Sequence, residues 1–158
     1  MRCSRSSADS FRTRNGVLHL VHPVLVHFTI AFLVVGGMSE AYGIARAREG
    51  AERFGGALVL LGTIALVPTI AAGFLAANSL PLAGPAESAV DDHERLGLIV
   101  LGIFVPLLVV KAWGRGRPPR TWRGLYAAGL IAGVAAAIAT AYFGGLMVYR
   151  LGVGVAGP

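Results

Sequence analysis

Four long apolar runs constrain this chain more than any other feature of its 158 residues. They cover roughly 23–44, 54–77, 94–111 and 124–149. Each reaches the roughly 17–25 residues a helix needs to cross about 30 Å of hydrocarbon. Backbone N–H and C=O groups find no water in the bilayer core, so such runs fold as helices. The expected fold class is all-α, an integral membrane four-helix bundle. The spans lie in a domain covering 20–155, preceded by a polar, Arg-rich tail at 1–19. Pro68 and Pro106 fall inside the second and third spans. Transmembrane helices tolerate such prolines, and a kink is expected at each.

Charge follows the same plan. Only 14% of residues are charged and 55% are hydrophobic, against about 25% charged in soluble domains. The net charge of +6 would suit nucleic acid if it formed a patch. It lies instead in short segments between apolar runs, where Lys and Arg set orientation. Arg46, Arg48 and Arg53 crowd the first connection. Lys111, Arg115, Arg117, Arg120 and Arg123 crowd the third, flanked by the interfacial aromatics Trp113 and Trp122. The connection 79–92 has no Lys or Arg. The positive-inside rule therefore puts the basic connections in the cytoplasm and both termini on the outer, periplasmic side of a bacterial inner membrane. The lipid bilayer is the expected surrounding, and nucleic acid is not a partner.

Several chemistries are absent from the sequence. Cys3 is the only cysteine, so the chain has no CxxC and no CxxCH haem-attachment motif. It also lacks G-x-S-x-G, a P-loop and H-E-x-x-H. The chain reads as non-catalytic. Small residues mark two helix faces that suit close packing within the bundle or against a partner's helix. One is Gly129, Gly133, Ala137, Ala141 and Gly145. The other is Thr29, Gly36 and Gly43, beside Glu40.

The histidines are the remaining chemistry. HPVLVHF opens the first span with His22 and His27, and SAVDDHERLG opens the third with His93. Pro23 suits a first helical position and His22 an N-cap-like one. His27 then lies about 6 Å inside the span. Five residues of helix separate His22 and His27 by about 140°, so only one can face a given partner. With Ser88 or Asp91 capping the third helix, His93 reaches a similar depth on the same side. Two facing imidazoles can hold a b-type haem axially. His27 and His93 are thus the candidate haem ligands, with His22 in reserve and no other metal site expected. The alternative is that these histidines only cap helices or bond to backbone.

HPVLVHF, His93 and the closing FGGLMVYRLGVGV together resemble a bacterial membrane family catalogued as domain of unknown function 2231. His22, Pro23, His27, Phe28, Glu40, His93, Gly144, Gly145, Tyr149, Gly152 and Gly154 fall on its pattern. The resemblance covers about 20–155 and implies four transmembrane helices in a redox setting, because some relatives occur beside or fused to cytochrome-type proteins. The chain departs from the pattern at Thr29 (usually proline), Leu146 (often acidic) and Leu151 (often histidine), and no acid follows Gly73. The expected function is a small subunit of an energy-transducing respiratory or photosynthetic complex, packed against its other transmembrane subunits. It holds a haem b near the periplasmic face, or else serves as a cofactor-free accessory subunit.

Overall fold

The computed structural model describes residues 7–155, with side chains from residue 21 onward. Four helices, α1 (Ser7–Ala45), α2 (Glu49–Ala77), α3 (Pro85–Trp113) and α4 (Arg123–Leu151), account for nearly all of it, with a 3₁₀ turn at Arg120–Trp122. All four are long and apolar enough to cross a membrane, α1 from Val21 onward. Each packs on its sequence neighbours, α4 closes back on α1, and α1 and α3 face each other diagonally. The core is built from Leu33, Val59, Val100, Phe104 and Leu130, all nearly fully buried.

Two helix starts differ from the sequence expectation. α1 does not begin at Pro23. It runs unbroken from Ser7 through Pro23, so His22 is an interior helical residue and no N-cap. Residues 7–19, expected as tail, form the first turns of α1, and residues 1–6 lie outside the described residues. α3 starts at Pro85 behind Gly84, whose φ is 60°, and neither Ser88 nor Asp91 caps it. Proline at the first helical position explains that start, because its missing N–H has no partner to lose there. α2 and α3 are continuous through Pro68 and Pro106.

The chain repeats itself. Glu40 pairs with Lys111, and Glu52 with Arg123, each across a separation of 71 residues. His22 and His93, Thr69 and Thr140, and Gly73 and Gly144 share that separation. So do the buried positions Leu33 and Phe104, Val59 and Leu130, and Gly62 and Gly133. The α1–α2 hairpin is therefore matched by the α3–α4 hairpin about a pseudo-two-fold axis. α1 and α3 run in the same direction, so this axis lies along the bundle. Equivalent residues that touch one another must lie beside it.

The hairpins differ in tightness. A Cβ on Gly43 or Gly55 would collide with the backbone of Glu52 or Glu40, and one on Gly36 would lie 2.8 Å from the Val59 nitrogen. Glycine there lets α1 and α2 approach backbone to backbone. In the second hairpin Gly36 and Gly55 become Leu107 and Tyr126. Gly129 and Gly133 of α4 accept side chains from α3 instead, Leu107 and Phe104. The stripe expected on α4 thus packs inside the bundle at Gly129, Gly133 and buried Ala137, while Gly145 faces open space.

A methyl group tests this directly. Gly55→Ala should cost about 1–3 kcal/mol or more, because the helices must part. Gly50→Ala, with nothing within 4 Å of its Cβ, should be neutral or slightly stabilising. Thermal unfolding of the two variants in one detergent makes the comparison.

Candidate functional site

The axis carries ionisable groups near both ends of the bundle and hydrocarbon between them. At one end are His22 of α1 and His93 of α3. The His22 Nδ1 lies 2.9 Å from the Thr69 carbonyl oxygen and donates to it. A Cβ on Gly73, one turn further along α2, would be 3.0 Å from the His22 Cε1. His93 repeats the arrangement. A Cβ on Gly144 of α4 would be 2.9 Å from its Cε1, and the Thr140 backbone lies beside the ring. The two imidazoles lie within electrostatic reach of each other. The His93 Nδ1 is buried and has no hydrogen-bond partner among the described residues.

His27 is not brought to His93. It is exposed, and its Nδ1 turns back to the Pro23 carbonyl oxygen at 2.6 Å. Physically, the five-residue spacing lets only one of the two histidines face the axis. Because α1 begins well before Pro23, that residue is His22. Thr29, the departure from proline, is 2% exposed. Its hydroxyl lies 2.9 Å from that of Thr69, which itself donates to the Ala65 carbonyl. This small polar layer ties α1 to α2 just inside the histidine pair.

The opposite end holds five polar side chains drawn from all four helices. Glu40 is fully buried. Its Oε1 accepts from the Lys111 Nζ at 2.5 Å and the Tyr126 hydroxyl at 3.1 Å. The Glu52 Oε2 accepts from Arg123 at 2.7 Å. A side chain on Gly56 would collide with the Lys111 Nζ, so glycine there makes room for the lysine. Beyond this cluster, Arg117 of the α3–α4 connection bonds to Glu49 at the start of α2. That carboxylate raises the Arg117 pKa above its ordinary value. Part of the basic charge read as topology thus clamps one connection onto α2.

Between the two ends, Leu33, Val59, Val100, Phe104 and Leu130 fill the bundle. The arrangement gives two separate polar layers on a dry axis. Among the described residues no group of three His, Cys, Asp or Glu gathers to hold a metal ion. A site at the histidine end therefore has two protein ligands to offer.

The whole pattern fits a known sequence family. A family model described as a predicted membrane protein, DUF2231, matches residues 18–157. The chain belongs to that family. No curated protein and no solved structure matches it. Some of the family's end motif is structural here. α4 stops at Gly152, which takes a left-handed φ of 65°, and Gly154 also has positive φ. Val153 and Gly152 donate back to the Met147 and Val148 carbonyls, closing the helix with a left-handed glycine cap. The two leucine departures in this motif, Leu146 and Leu151, line an outward groove between α3 and α4.

What sequence reasoning missed was Lys111, Glu52, Arg123 and Tyr126 as bundle residues, and His22 over His27. A search for internal repeats finds the first three and His22. Each has a histidine or an ion-pairing partner at the same 71-residue offset.

The pseudo-symmetry makes the Glu40–Lys111 pair exchangeable. Glu40→Leu alone leaves a buried ammonium and should cost about 3–5 kcal/mol. The double exchange Glu40→Lys with Lys111→Glu should recover most of that loss. Unfolding midpoints of the single and double variants in one detergent decide the matter.

Proposed function

We propose that this chain is a small, non-catalytic membrane subunit of an electron-transfer complex, and that His22 and His93 would hold a b-type haem. The imidazole pair across the axis carries the reading. Two imidazoles are what haem iron needs from a protein, since the porphyrin supplies the other four ligands. A zinc site would want three or four protein ligands. The donor set fits in two further respects. The His22 Nδ1 is committed to the Thr69 carbonyl, which leaves Nε2 free, the orientation in which ligating histidines are held. The His93 ring is seated on Gly144 as the His22 ring is on Gly73, so the two hairpins present their imidazoles in equivalent ways.

Bound there, a haem would supply one-electron chemistry near one membrane surface. The chain's own residues do the rest. Thr69 fixes the His22 tautomer, Gly73 and Gly144 seat the rings, and the apolar mid-section keeps water from the axis. By the positive-inside rule this end faces the periplasm and the charged end the cytoplasm of a bacterial inner membrane.

A second reading has its own support. Gly73 and Gly144 already hold the rings in close contact. The histidines then act as polar pins between helices, and the chain is a cofactor-free accessory subunit that packs against larger partners.

A reduced-minus-oxidised visible spectrum of the purified full-length protein separates the two. The haem reading expects b-type bands, lost in His22→Ala and His93→Ala and retained in His27→Ala. Folded protein without such bands rules out the haem. The accessory reading then expects other subunits to copurify from native membranes, and a chain that migrates alone counts against it.

A further inference from the structure

An open groove of about 690 Å³ runs down the outer surface between the first half of α3 and the last half of α4. Pro85, Ser88 and Asp92 of α3 and Arg150 of α4 stand toward its upper end. Leu96, Phe143, Leu146 and Met147 make the apolar wall below. From Pro85 to Leu96 is eleven residues, about 16 Å of helix, enough to run from the membrane surface well into the hydrocarbon. The groove opens to the bilayer and lies outside the bundle, away from the axis between His22 and His93.

Charge at the groove selects its occupant. Arg95 spends part of its charge on Asp92, 3.5 Å away. Arg150 is exposed and makes no ion pair among the described residues. The lining therefore carries two guanidiniums and one carboxylate, a net positive charge above a hydrocarbon trough. We propose that this groove binds one membrane phospholipid, its phosphate held by Arg150 with Arg95 beside it and one acyl chain along Leu96, Phe143, Leu146 and Met147. Arginine suits the task because its planar fork can engage two phosphate oxygens at once. A long aliphatic stem lets an arginine lie along an apolar wall while its head stays at the surface. The site does not depend on a haem.

Native mass spectrometry of the full-length protein, released from detergent after incubation with phosphatidylglycerol, tests the site. The wild type should retain one phospholipid per chain. Arg150→Gln should lower the retained fraction several-fold, and Leu146→Trp, which fills the trough, should abolish retention. Arg46→Gln, in the first basic connection, should retain the lipid as the wild type does. Equal retention across all four proteins would mean non-specific annular lipid and would overturn the proposal. Retention lost in Leu146→Trp but unchanged in Arg150→Gln would overturn the phosphate assignment. Recovery of a quinone or another phosphate-free lipid as the groove's occupant would overturn the ligand class.

Discussion

The pair between Glu40 and Lys111 is the constraint around which the rest is arranged. Glu40 is wholly buried in a bundle that spans a membrane, and an isolated charge there is very costly. Its carboxylate is tolerable only with a cation and further donors in reach, and these come from α3 and α4. Gly56 has to be glycine for the ammonium to arrive, and Gly55 for α2 to pass the backbone of Glu40. One buried carboxylate thus fixes side-chain size on α2, a cation on α3 and a phenol on α4. It sets both the rotation and the depth of each helix against the others. The Glu40 Oε2 and the Glu52 Oε1 remain buried without protein partners among the described residues, so the cluster is polar beyond its ion pairs.

The repeat explains why such an arrangement is available to a short chain. Two equivalent residues near a two-fold axis face each other automatically. With identical residues, like charges would meet. Here the first hairpin keeps the acids and the second carries the bases, so the contacts become attractive. At the other end both copies are histidine. Imidazoles can be neutral at ordinary pH, so identity there carries no repulsion that must be relieved. The histidine pair is thus one that the symmetry can leave unchanged.

Much of the architecture is readable from the sequence because lipid leaves few options. Apolar length gives the four helices; α2 and α4 extend only a few residues beyond their apolar runs, whereas α3 begins nine residues earlier, at Pro85. Helix starts are less legible. Pro23 is compatible both with a first position and with the interior of a membrane helix, and nothing local decides between them. That single ambiguity moved the candidate site from His22 to His27, since the two side chains point about 140° apart. The ion pairs were hidden for a different reason. Lys111 and Arg123 stand at the ends of a basic segment that topology alone explains, and only the matching acids one repeat earlier show that these two turn inward.

The two halves also show what the repeat does not preserve, and the difference has consequences. Where the first hairpin has Gly36, Gly55 and Leu33, the second has Leu107, Tyr126 and Phe104. Larger side chains fill the axis from the α3–α4 side and hold those helices apart. Leu107 and Tyr126 also line a groove on the outer face of α3 and α4 at the charged end. Both described grooves lie on that face, one near each end of the bundle. A symmetric bundle would offer lipid two equal sides. This one offers a closed side, joined backbone to backbone, and a furrowed side whose upper groove carries an unpaired arginine.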